Sequence, residues 1–207
     1  MKNKKLIDSF RYALTGIGSA FKTERNIKIH VAVASIVTIL GIILKLKTWE
    51  WVVCVGWFAI VIGGELFNTA IEIAVDLAMP KINEKAKRAK DISAGGVLVF
   101  AIGSIIVGVI IFIPKIINLI IHILNCYLIY KITGKKIFTL IYGLNPFILI
   151  EGIVSVHNDM FVILFTLLSL YMVLKKKNIV LSVAFLGLAT GIKYFSILLL
   201  PFIIIYH

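Results

Sequence analysis

Charge is scarce in this chain, and acid is scarcer. Of 207 residues only 15% are charged, and Asp plus Glu number 10. Soluble domains carry about 25% charged residues, so this composition does not supply an ordinary water-facing surface. Cysteine is almost missing as well. Cys54 and Cys126 lie far apart in apolar runs with no metal-ligand spacing, which excludes a disulfide framework or zinc centre and leaves two small packing residues. The first apolar run begins only near Ile29, after a long basic segment, so no cleaved secretory leader is expected. Internal repeats and low-complexity linkers are also lacking.

What the chain does have is apolar length. With 60% hydrophobic residues and a mean hydropathy of +1.04, it reads as an all-α integral membrane protein, because runs of about 20 apolar residues cross the hydrocarbon as helices. The net charge of +12 does not point to nucleic acid, because its distribution follows the spans. Lys and Arg cluster as seven before Ile29, five from Lys81 to Lys90, three from Lys131 to Lys136 and three at Lys175 to Lys177. Placing these four segments in the cytoplasm satisfies the positive-inside rule. Only Lys45, Lys47, Lys115 and Lys193 then lie outside. The expected protein is multi-pass with a cytoplasmic N-terminus and anionic lipid beside its basic segments.

Ile7, Phe10, Leu14, Ile17 and Phe21 recur at steps of three and four, the spacing of one helical face, and predict a surface helix over residues 4–22. Spans are predicted over 29–46 and 49–79, with Pro80 ending the second. A basic loop then leads to a third span over 92–113, whose Gly95, Gly96, Gly103 and Gly108 permit close helix contact. The character changes at Pro114, the expected domain boundary, dividing the chain into 1–115 and 116–207. Downstream, apolar runs at 116–130, 137–150, 160–174, 179–190 and 195–206 predict four to five further membrane helices.

The second span contains the informative anomaly. Its segment GGELFNTAIEIAVD sets Glu65, Asn68, Glu72 and Asp76 at i, i+3, i+7 and i+11, which keeps all four within about 60° of one stripe along the helix. Ionised side chains at bilayer depth are costly and are functional by default. The lower end of this ridge is expected to approach the segment AKRAKDIS, Ala86 to Ser93, read as a cytoplasmic loop whose Lys87, Arg88 and Lys90 suit polyphosphate. Glu24 is expected at the depth of Glu72, and the two suit a shared magnesium, which takes one or two carboxylates plus substrate phosphates. Glu65, deeper, is placed to deprotonate a lipid alcohol, and phosphoryl transfer requires little beyond positioning and charge stabilisation. The same acids also suit a proton or ion pathway, or helix–helix hydrogen bonding.

Tyr12, KTERN at Lys22 to Asn26, GELFNTAIEIAVD at Gly64 to Asp76 and AKDISAGG at Ala89 to Gly96 closely resemble the prokaryotic diacylglycerol kinase family over residues 1–115. The resemblance implies a homotrimer of three-span protomers with an N-terminal surface helix, active sites shared between neighbours, magnesium, ATP as donor and a bacterial cell membrane. It implies Glu65 as general base, Glu24 and Glu72 as metal and nucleotide carboxylates, Asn68 as a site organiser, and Tyr12, Lys90 and Asp91 as nucleotide contacts. The TERN variant resembles the Gram-positive branch that phosphorylates undecaprenol, with diacylglycerol as the other acceptor. Phe67 stands where leucine is usual in the family.

Farther on, NPFILIEGIVSVHND at Asn145 to Asp159 and GIKYFSILLLPF at Gly191 to Phe202 resemble multi-spanning glycosyltransferases that use polyprenyl-phosphate sugars, over about 118–206. Glu151, His157 and Asp159 are expected in an exoplasmic loop suited to a sugar or cation, with Lys193 available for phosphate. The resemblance places that family's catalytic acids upstream, where the kinase-like region stands, so this half is expected to lack transferase activity alone. A fused or truncated remnant is the expectation. The leading reading is a lipid kinase. A polyprenyl-phosphate-dependent glycosyltransferase and a non-enzymatic transporter or scaffold are its rivals.

Overall fold

The computed structural model describes residues 6–206, so Lys4 and Lys5 of the predicted surface helix lie outside the described residues. Two compact units divide at 110/111, and the described residues are helical with no strand.

In the first unit α1 (Leu6–Thr23) carries its apolar face outward, with Ile7, Phe10, Leu14, Ile17 and Phe21 all exposed, as a helix lying on lipid requires. Glu24 is the extended residue that separates it from α2 (Arg25–Ile43). A short turn containing Lys45 at φ 49° leads into α3 (Thr48–Ala78). The buried Glu50 carboxylate accepts the Lys47 N–H at 2.6 Å and so satisfies one of the orphan donors at the start of α3. Helices α2 and α3 match the two predicted spans to within a few residues, because an uninterrupted apolar run leaves the backbone no alternative to internal hydrogen bonding in lipid.

Two expectations are corrected by α4 (Glu84–Thr133). The expected cytoplasmic loop at Ala86 to Ser93 is helical, because Asn83 Oδ1 accepts from Lys85 N at 2.8 Å and from Ala86 N at 3.3 Å. That is helix N-capping, and the residues that follow are strong helix formers. Pro114 also fails to end its helix. The run at 116–130 is the C-terminal part of α4 and forms no separate helix. Proline removes one donor, whereas breaking the helix in hydrocarbon leaves several backbone groups unpaired.

Among the described residues α2, α3 and α4 are long and apolar enough to cross a membrane. In the second unit α5 (Lys136–Gly143) and the segment Pro146–Val154 join at a 50° bend to make a fourth candidate span. Then come α7 (Asp159–Lys176), α8 (Ile179–Ile192) and α9 (Leu200–Tyr206), if the single turn α6 (Pro146–Ile148) is counted before them. Val173, Leu186 and Ile203 form the apolar centre of this unit, with a buried Ser169–Ser182 hydroxyl pair at 3.0 Å.

Within the first unit the glycines are not equivalent. A β-carbon on Gly103 would collide with the Trp57 ring, whereas one on Gly95 would meet nothing within 4 Å. Gly103→Ala is therefore expected to cost about 1–3 kcal/mol through overpacking, while Gly95→Ala is expected to be neutral or to stabilise by up to about 1 kcal/mol. Thermal unfolding of both variants in detergent checks this. Equal midpoints would show that the Trp57 contact does not constrain the α3–α4 pair.

Candidate functional site

Burial falls along the α3 ridge. Glu65 is 2% exposed and Asn68 7%, Glu72 is half-buried, and Asp76 is exposed. One ridge thus runs from protein interior to solvent. Asn68 Nδ2 donates to Glu72 Oε1 at 2.9 Å, across one helical turn. That bond fixes which end of the Asn68 amide is which, and its Oδ1 is left buried with no partner. Such groups are rare in native proteins and mark places where a ligand, water or ion completes the pairing.

At the exposed end, Lys90 Nζ lies 2.6 Å from Asp76 Oδ1, so the ridge meets the first turns of α4. Asp76 is exposed and Lys90 half-buried, and a pair at such a surface contributes only about 0–1 kcal/mol. Its significance is positional. It brings the basic cluster of Lys87, Arg88 and Lys90 to the end of the ridge, with Asp91 exposed beside it. Glu24 is half-buried between α1 and α2, and its Oε1 accepts the Thr23 hydroxyl at 3.0 Å. Tyr12 is exposed on α1. The structure therefore joins Asn68 to Glu72 and Asp76 to Lys90. Among the described residues no three His, Cys, Asp or Glu side chains gather as a metal cage.

A cavity of about 460 Å³ lies between α1 and α3, walled by Ala13, Gly16 and Ala20 on one side and Leu66, Thr69 and Ala70 on the other. Small residues on α1 make the room. The Thr69 hydroxyl is buried without a partner. Sequence reading passed over this residue. The available signal was its place one turn after Glu65, on the same side of the helix.

In the second unit the expected exoplasmic loop is partly helical, since Leu149–Val154 forms a π-helical segment that includes Glu151. His157 Nε2 lies 3.6 Å from Glu151 Oε2, and Lys193 pairs with Asp159. Lys193 is thus paired with a carboxylate in an exposed contact, as Lys90 is with Asp76. Val156 holds φ at 58°, a strained position for a β-branched residue. Lys115, which the charge pattern places on the outer side, is fully buried in α4, where its Nζ donates to Val154 O at 2.9 Å. Asn118 donates to Gly152 O at 2.7 Å, and His122 Nε2 contacts Gly143 O at 3.2 Å. Lys115, Asn118, His122 and Asn125 form a second buried polar stripe that pins the bent segment through three of its carbonyls and the Tyr142 hydroxyl. Its spacing, i, i+3, i+7 and i+10, is as regular as that of the α3 ridge and was the signal available in the sequence.

The family model described as prokaryotic diacylglycerol kinase matches residues 11–112, and that described as the N-terminal domain of alpha-(1->6)-mannopyranosyltransferase matches residues 92–207. Undecaprenol kinase of Bacillus subtilis (strain 168) is 44% identical over 115 residues, which cover 54% of this chain and 90% of that one. Diacylglycerol kinase of Synechocystis sp. is 39% identical over 115 residues, covering 55% and 66%. Diacylglycerol kinase of Haemophilus influenzae is 32% identical over 94 residues, covering 45% and 80%. No solved structure matches the chain. The graded ridge of α3 and these matches together make the chain a member of the prokaryotic diacylglycerol kinase family over residues 11–112, continued over residues 92–207 by a member of the mannopyranosyltransferase N-terminal-domain family.

Proposed function

We propose that the protein is a membrane lipid kinase that transfers the γ-phosphoryl group of ATP to undecaprenol at the cytoplasmic face of the bacterial cell membrane. The observation that carries this reading is the ridge itself, an acid buried at one end and a carboxylate–lysine contact at the other. A lipid alcohol arrives from the membrane and a nucleotide from water, so the residues that serve them must lie at different depths along one element. The identity to an undecaprenol kinase favours that alcohol, with diacylglycerol as the alternative.

In this mechanism Glu65 accepts the proton of the lipid hydroxyl as its oxygen attacks the γ-phosphorus, and the bond to the β-phosphate oxygen breaks to release ADP. Lys90 lies against the polyphosphate, and Asp91 and Tyr12 orient the nucleotide. Glu24 and Glu72 fit magnesium by donor chemistry. Each has one carboxylate oxygen committed, to Thr23 or to Asn68, and offers the other as a hard ligand. Magnesium held there supplies neutralisation of polyphosphate charge. Asn68 fixes the Glu72 carboxylate through its amide. The protomers are proposed to associate as a homotrimer with the N-terminus in the cytoplasm, the orientation that the basic segments favour.

The transferase-like unit is proposed to have no sugar-transfer activity of its own, since the resemblance places that family's catalytic acids upstream, where the kinase-like region stands. Sugar transfer that persists in Glu65→Ala and vanishes in Asp159→Ala would overturn that.

Phosphate transfer from labelled ATP to undecaprenol and diacylglycerol, measured side by side, tests the main reading. Undecaprenol is expected to be the better acceptor, and Glu65→Ala to lose about 10²-fold or more in kcat. Wild-type turnover in that variant would remove Glu65 as the base.

Asn68→Ala is expected to raise the magnesium concentration for half-maximal rate by about 10–100-fold, the usual consequence of losing a residue that orients a metal ligand. An unchanged magnesium dependence would show that the bond to Glu72 does no such orienting.

A further inference from the structure

Hydroxyls on helices usually donate to the carbonyl four residues back, and this chain follows that habit widely. Thr15 bonds to Arg11 O, Thr38 to Ala34 O, Thr133 to Ile129 O and Thr190 to Leu186 O, at 2.7 to 2.8 Å. Thr69 departs from it. It sits in the middle of α3, 93% buried by its 7% exposure, and its hydroxyl has no partner at all. It also lines the cavity between α1 and α3.

Its position around the helix is what gives the orphan hydroxyl meaning. At 100° per residue, Thr69 stands about 40° from Glu65, while Leu66, Ala70 and Ile73 follow on its other side within about 100°. The first direction is the polar ridge and the second is the cavity wall. Thr69 is the residue common to both. As an i, i+4 pair, Glu65 and Thr69 have β-carbons about 5–6 Å apart, a gap that one hydroxyl oxygen bridges with two ordinary hydrogen bonds. The unpartnered Oδ1 of Asn68 lies on the same turn, so unfilled hydrogen-bonding capacity collects there. On α1, a β-carbon added at Gly16 would meet nothing within 4 Å, so the facing wall leaves room for a chain that carries the hydroxyl.

We infer that Thr69 is a substrate-binding residue whose hydroxyl donates to the oxygen of the acceptor lipid alcohol, with the carbon chain next to that oxygen lying in the α1–α3 cavity. The inference rests on the kinase reading above and adds to it the donor that orients the alcohol toward Glu65. The bond exists only with substrate bound, which is why the hydroxyl has no partner in the chain alone.

Full-length protein in detergent micelles, assayed with undecaprenol at varied mole fraction and with ATP varied separately, tests this through Thr69→Val, Thr69→Ser and Glu65→Gln. Valine keeps the shape and removes the hydroxyl. Thr69→Val is expected to raise the KM for the alcohol by about 5–10-fold, the loss of one hydrogen bond. The KM for ATP is expected to stay unchanged, and the thermal midpoint of substrate-free protein to stay level or rise, since an unpaired buried group has been removed. Thr69→Ser is expected to restore the alcohol KM. A lowered midpoint with both KM values raised would show a structural contact, within the chain or between copies, and overturn the inference. An active wild type indifferent to Thr69→Val would sink it while leaving Glu65→Gln to judge the kinase reading. A wild type inactive on every lipid alcohol would sink both.

Discussion

Hydrocarbon offers a buried polar group no water, and that single constraint organises what this molecule does with its few polar residues. Each must reach a partner in the protein, reach the interface, or wait for a ligand. The ridge on α3 uses all three solutions in succession. Asp76 reaches the interface and Lys90, Glu72 is held by Asn68, and the deepest turn retains atoms with nothing to bond. A gradient of satisfaction along one helix is the arrangement needed where a water-borne donor meets a membrane-borne acceptor.

The buried stripe on the later part of α4 answers the same constraint in the opposite way. Lys115, Asn118 and Asn125 direct their donors at backbone carbonyls or at a tyrosine hydroxyl, so the bent and π-helical segment is secured from within its own unit. That satisfaction also accounts for a non-helical stretch and a left-handed valine surviving in so apolar a region, because strain persists where the surroundings over-determine it. The stripe's donors hold backbone in place, while His122 Nδ1 and Asn125 Oδ1 are left without partners, as Asn68 Oδ1 and the Thr69 hydroxyl are in the first unit.

Much of the first unit was legible in advance. The surface helix and the ridge rest on periodicity and the two spans that follow on apolar length, and both are properties of one helix considered alone. The features that escaped each depend on a second element. Continuity of α4 through Pro114 follows from the cost of exposing backbone in lipid, which a local proline rule ignores. The burial of Lys115 was not legible because the carbonyl that receives it lies 39 residues away in sequence. The pairing of Lys193 with Asp159 escaped for the same reason.

Sequence by itself determined that this is an all-α membrane protein, that one helix carries a polar ridge with its acids in register, and that its first half resembles a lipid kinase. Tertiary structure alone decided which of those polar groups are already paired, that α1 leaves a cavity against α3, and that Thr69 stands between ridge and cavity with an unused hydroxyl. The division has a physical reason. Angular position on a helix is fixed by counting residues, but whether a donor is satisfied depends on atoms that folding brings from elsewhere in the chain.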